Sequence, residues 1–103
     1  MEFIETVLFQ KEWNKLLDDD ELRQLQLILT YYPDRGDLIP GSGGLRKLRW
    51  ILPGKSKRGG LRIIYYWITM DRKIIFLHIY KKSRQVDLSS DQIKFFTNLI
   101  KGE

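Results

Sequence analysis

The chain has 103 residues, 43% of them apolar, with no cysteine, one histidine and a net charge of +5. That is one domain, residues 1–103, with enough apolar content for a single core and too much for a disordered tail. The absence of cysteine excludes disulfides and thiolate chemistry, and one histidine leaves little for a zinc site.

The first stretch, Glu2 to Leu8, alternates as a strand does. Being acidic and alternating, it does not read as a signal peptide, and no apolar run approaches the ~20 residues that cross a bilayer. A cytoplasmic protein without a membrane partner is the expectation. From Phe9 the spacing changes: Phe9, Trp13, Leu16 and Leu17 share one face of a short helix. A second helix follows, with Asp18 as N-cap and Glu21 three residues on, a capping-box pattern. Its stripe is Leu22, Leu25, Leu29 and Tyr32, and Pro33 stops it. Residues 33–44 are rich in proline and glycine and have no periodicity, so they read as a surface loop.

Three strands are expected next: Leu45 to Leu52, Leu61 to Met70 and Lys73 to Tyr80. A glycine-rich basic loop joins the first two, and a tight Asp71-Arg72 hairpin joins the others. The last element is a helix capped by Ser89 with Gln92 completing the box and Leu88 and Ile93 placed as a hydrophobic staple. Ile93, Phe96 and Ile100 face inward, and Gly102 ends it. The predicted order is β-α-α-β-β-β-α, an α+β fold in which an antiparallel meander carries an N-terminal helical hairpin and a C-terminal helix.

Charge is segregated along this chain. Between Gly41 and Arg84 stand twelve Lys/Arg against one acid, a net +11, while the flanks together carry six Lys/Arg and twelve Asp/Glu, a net −6. A surface chosen for solubility alone mixes its signs, so this segregation points to a polyanion, with a basic protein-docking face as the rival. Nucleotide-binding glycine fingerprints, a Walker loop and HExxH are all missing, and the one histidine, His78, lies mid-strand, where a structural role is the ordinary one.

The strand cations remain. Period two sends Leu48 to one face and Lys47 and Arg49 to the other. Arg62, Ile64 and Tyr66 share a face opposite Ile63, Tyr65 and Trp67. In the third strand Lys82 continues the face of His78 and Tyr80, with Ile75, Leu77 and Ile79 opposite. With Leu48 in the core, Lys47, Arg49, Arg62 and Lys82 converge on one face. Such a cluster suits RNA, which brings its own nucleophile, the 2′-hydroxyl. Cleavage then needs positioning, a proton acceptor and donor, and positive charge on the phosphorane, with no metal or other cofactor. Crowded lysines give up protons more readily, and the sequence leaves the acceptor open between Lys47 and Lys82. Taken singly, each of these cations is an ordinary solvated or ion-paired side chain.

The stretches "GSGGLRKLRW", "GKSKRGGLRIIYYW" and "LHIYKKSRQVDLSSDQ" resemble, in order and spacing, the HigB branch of the RelE-type toxins of bacterial type II toxin–antitoxin modules. The likeness spans residues 30 to 95 and extends to the N-terminal helices by topology. It implies a RelE-like fold and a small mRNA interferase that enters the ribosomal A site and cleaves the message. It also implies a cognate HigA-like helix-turn-helix antitoxin that silences the toxin by direct binding, with operator DNA reached only through that antitoxin. The positions matching the family's active site are Lys47, Arg49, Arg62 and Lys82. Lys57 and Arg58 match its basic loop and, with Arg46, Lys55 and Lys81, would grip messenger or ribosomal RNA. The family often has arginine where Lys82 stands. Some members have a tyrosine near position 88, where this chain has Leu88, so Tyr66 or Tyr80 would have to stack on substrate. Two other readings stand beside this one. A ParE-like gyrase poison of the same superfamily would lack the basic set that is present here. A non-enzymatic RNA-binding module would not need the extra N-terminal strand and helix.

Overall fold

The computed structural model describes residues 1–51 and 60–102. Eight elements follow in order: β1 (Glu2–Glu5), α1 (Val7–Leu16), α2 (Asp19–Tyr31), β2 (Asp37–Leu38), β3 (Leu45–Trp50), β4 (Leu61–Ile68), β5 (Lys73–Lys81) and α3 (Ser90–Ile100). The strands form one sheet in the order β1-β5-β4-β3-β2.

Two features correct the expected topology. β1 lies parallel to β5, pairing Glu2 with Lys73 through Glu5 with Phe76, so the sheet is mixed rather than a pure antiparallel meander. A short fourth strand, β2, pairs antiparallel to β3, with Asp37 opposite Lys47 and Leu38 opposite Arg46. Both β2 residues are exposed. The order is therefore β-α-α-β-β-β-β-α, still α+β.

β1 ends sooner than its alternation implied because Thr6 caps α1. Its hydroxyl accepts from the Phe9 N–H at 3.3 Å and donates to the Phe76 carbonyl at 2.9 Å. Val7 and Leu8 thereby become exposed residues of the first helical turn. The caps of the other helices are as expected. Asp18 and Glu21 exchange two backbone bonds at 2.8 Å each, and Ser89 and Gln92 form the equivalent box on α3. Tyr32 is not part of the α2 stripe; it is the C-cap and 55% exposed. The β4–β5 turn takes Thr69 to Arg72 rather than two residues, with Arg72 at φ 53°.

The sheet is covered on both faces. Phe9, Leu17, Leu22, Leu25 and Leu29 from the helical hairpin pack on Leu48, Ile63, Tyr65, Ile74, Phe76 and Ile79. Phe3, Phe76 and Phe9 stack in turn, centroids 5.5 and 4.7 Å apart, tying β1, β5 and α1 together. On the opposite face Leu88, Ile93, Phe96 and Ile100 cover Leu45, Ile64, Ile75, Leu77 and Tyr80.

The loop before β3 is structured by specific bonds. The buried Tyr65 hydroxyl donates to the Pro33 carbonyl at 2.7 Å and accepts from Gly36 N–H at 2.8 Å. Ser42, fully buried, bonds Ile39 and Leu45, and its carbonyl accepts from Thr97 Oγ1 at 2.9 Å, fastening the loop to α3. At the start of β4, Gly60 has φ 66°, and a Cβ there would lie 2.3 Å from the Trp50 carbonyl oxygen. Only glycine fits such a position.

Candidate RNA-cleavage site

Leu48 is buried against the helical hairpin, so its neighbours Lys47 and Arg49 take the α3 face of β3. Register then assembles the site in two rows across the sheet. Arg49 pairs with Arg62, which pairs with Tyr80, and Lys47 pairs with Ile64, which pairs with His78. Cross-strand partners share a face. Three of the four expected cations, Lys47, Arg49 and Arg62, therefore stand together on the α3 side.

The β5 contribution departs from strict alternation. The β4–β5 register shifts at Ile64/Tyr65, with His78 opposite Ile64 and Phe76 opposite Tyr65. The extra residue, Leu77, forms a bulge. As a result Ile75 and Leu77 face α3 together with Tyr80, and Ile79 faces the hairpin. The expected grouping of Ile75, Leu77 and Ile79 opposite His78 and Tyr80 is thus corrected. Lys82 lies one residue beyond β5 with an exposed side chain, its backbone N–H bonded to the Gly60 carbonyl at 3.1 Å.

The three cations differ in setting. Arg62 is 6% exposed and donates to the Leu61 carbonyl at 3.1 Å, among its contacts. Arg49 is exposed. The Lys47 side chain is mostly covered, and its ammonium makes a 2.5 Å ion pair with Asp87, whose own side chain is 68% exposed. Asp87 lies in the turn before α3 and was not singled out by sequence, although it is the only carboxylate between Asp71 and Asp91. Its hydrogen bond and charge contact with Lys47, and then the Arg49 and Arg62 charges, hold its carboxyl below the usual carboxylate range. One exposed carboxylate thus lies within the field of all three cations. Beside them opens a cleft of about 370 Å³ whose lining includes Lys47 and Arg49, two carboxylates, Asp37 and Asp87, and the apolar Leu88 and Ile93.

The remaining aromatic and basic candidates separate. Tyr80 is 7% exposed, which leaves no open ring face for a base. Burial, then the Asp87 charge, pushes its phenol up against the opposing pull of Arg62. Tyr66 is half-buried and packs over Gly44, where a Cβ would lie 2.9 Å from its ring. Arg46 pairs with Tyr65 on the hairpin face and donates to the carbonyls of Asp34 (3.2 Å) and Gly36 (2.7 Å), so it acts as a staple of the loop, away from the cationic rows. Lys81 pairs with Leu61, whose side chain packs in the hairpin core, and lines a separate cleft with Lys15 and Arg84. Lys55, Lys57 and Arg58 lie outside the described residues. His78 is half-buried between the rings of Tyr80 (5.2 Å) and Phe96 (5.5 Å). Burial lowers its pKa, opposed by Glu12, so it is a neutral packing group at pH 7. Among the described residues no group of three or more His, Cys, Asp or Glu is placed to hold a metal ion. None of their helices is long and apolar enough to cross a membrane.

This fold, a five-stranded mixed sheet with a helical hairpin on one face and a single helix on the other, is similar to that of solved structures of the E. coli toxin RelE. An Escherichia coli toxin RelE mutant in the free state superimposes with a TM-score of 0.57 at 18% identity, covering 82% of this chain and 86% of that one. A chain of the intact E. coli RelBE toxin–antitoxin complex gives 0.58 at 16% identity, covering 78% of this chain and 94% of that one. No protein-family model matches the chain.

Proposed function

We propose that this chain is the toxin of a type II toxin–antitoxin module, an endoribonuclease that cleaves messenger RNA in the ribosomal A site. The observation that carries this reading is the convergence of Lys47, Arg49 and Arg62 on one face of the sheet beside an open cleft. The RelE-like fold and the HigB-like motifs support the same conclusion.

In the proposed reaction the 2′-oxygen attacks the adjacent phosphorus and the P–O5′ bond breaks. A cyclic phosphate and a 5′-hydroxyl are left. One proton leaves the attacking hydroxyl and one reaches the departing 5′-oxygen. Arg49 and Arg62 hold the non-bridging oxygens and bear the charge that accumulates on the phosphorane, with Arg supplying paired donors in a fixed fork. Lys47 orients the phosphate, and Lys82, at the open end of β5, completes the family's set. The proton acceptor is one of the two lysines in its uncharged amine form, since an ammonium has no lone pair to take the proton. Lys55, Lys57 and Arg58 are assigned to messenger and ribosomal phosphates. A HigA-like antitoxin is the proposed inhibitor.

Expression without an antitoxin tests the reading at its simplest. Growth should arrest, and Arg62 variants should relieve the arrest.

A further inference from the structure

The Lys47–Asp87 pair is peculiar to its place. A site that is to receive a phosphate holds a carboxylate of its own, 2.5 Å from the lysine and within the field of both arginines. A carboxylate resembles a phosphodiester in what a cation sees: one negative charge spread over two acceptor oxygens.

The backbone around Asp87 is fixed by several contacts, whereas its side chain is held by Lys47. Its carbonyl accepts from Gln85 Nε2 at 2.9 Å, the next residue, Leu88, is buried against α3, and Ser89 is locked in the capping box. The side chain itself is 68% exposed, and its carboxylate pairs with Lys47. Rotation about the Asp87 side-chain bonds alone therefore clears the cations, without movement of the turn. The Asp87 end of the pair faces solvent, which weakens the pair, and a phosphate replaces the carboxylate in kind.

We propose that the Asp87 carboxylate is an internal stand-in for the RNA phosphate: it occupies the anion position on Lys47, in the cleft that both share with Arg49, and substrate entry exchanges it for a phosphate oxygen. This rests on the reading of the face as an RNA site. It adds that the free protein holds its cations preassembled and one of them already paired, so that a phosphate must compete with a tethered carboxylate. Weak contact with stray RNA is then discouraged, and a well-presented strand is favoured.

The test is the affinity of the full chain for a short single-stranded oligoribonucleotide with every 2′-hydroxyl methylated, which binds and cannot be cut. Asp87→Asn should bind roughly two- to fivefold more tightly at low salt. Its salt dependence should steepen by up to about 0.7 in log–log slope, the value of one further neutralised phosphate on a single strand. Asp71→Asn, the same charge change at the far β4–β5 turn, should leave affinity unchanged. An Asp87→Asn protein that binds equally or more weakly overturns the stand-in role, and a loss of binding would make Asp87 a positioning residue for Lys47. If Arg49→Ala and Arg62→Ala bind as well as the unsubstituted chain, the RNA reading of the face falls, and the Asp87 proposal with it.

Discussion

Arg49 and Arg62 stand directly opposite each other across β3 and β4, two guanidinium side chains on one face of the sheet. Like charges in directly opposed positions destabilise a sheet by about 0.2–1 kcal/mol. A fold under selection for stability alone has no reason to keep them. Asp87 supplies part of the compensation, and a phosphate would supply the rest.

The first prediction uses that conflict. Arg49→Thr removes one of the opposed charges and places a good strand former at an exposed position. Its melting temperature should rise by a few degrees, about 0.2–1 kcal/mol, while toxicity is lost. Thermal unfolding read beside growth arrest checks both halves, and a fall in melting temperature would contradict the opposed-charge account.

Arg62 tests the site from its buried end. Arg62→Ala should abolish growth arrest. Because Arg62 is 6% exposed, Arg62→Met is the companion variant: it keeps most of the stem's packing and loses the charge. Both should give a folded spectrum by circular dichroism, and neither should arrest growth. Full toxicity in either would remove Arg62 from the mechanism.

The scaffold beneath the site has its own test. The Tyr65 hydroxyl bridges Pro33 and Gly36 from inside the core. Tyr65→Phe deletes it and leaves the buried Gly36 N–H without that acceptor, at a cost of about 1–3 kcal/mol. Denaturant unfolding should show a lower midpoint with an unchanged slope. An unchanged midpoint would mean that the loop before β3 is held by Arg46 and Ser42 alone.

His78 gives the pH dependence. Burial holds its pKa below the ordinary 6.5, so between 6.5 and the lower native value the unfolded chain binds more protons than the folded one. Stability is therefore fully present above about 6.5 and falls as the pH drops through that window. Asp87, also depressed, adds a loss only below the usual carboxylate range. His78→Gln should flatten the stability profile between pH 7 and 5.5, and a profile as steep as the parent's would assign the dependence elsewhere.

What could be read in advance divides along physical lines. Capping boxes are local, three residues from end to end, and Asp18 with Glu21 and Ser89 with Gln92 behaved as read. The alternation around Leu48 is local too, and it placed Lys47 and Arg49 on the open face. β2 left no trace because two exposed residues in a proline- and glycine-rich loop carry no period; it exists through its pairing with β3. The parallel partner of β1 lies some seventy residues away in sequence, and no pattern within the strand names it. The bulge at Leu77 is an insertion in one strand relative to its neighbour, invisible until the register is known. Asp87 reaches Lys47 across forty residues for the same reason. Arg46 shows the converse: a cation inside a basic run bonds a loop when its strand position turns it to the other face.

The central claim is that the cationic face cleaves messenger RNA on the ribosome. Primer extension on a defined message in a purified translation system, with and without ribosomes, tests it most directly. The account predicts cuts at codon positions only when ribosomes are present, and none with Arg62→Met. A folded preparation that produces no cuts under either condition would contradict it.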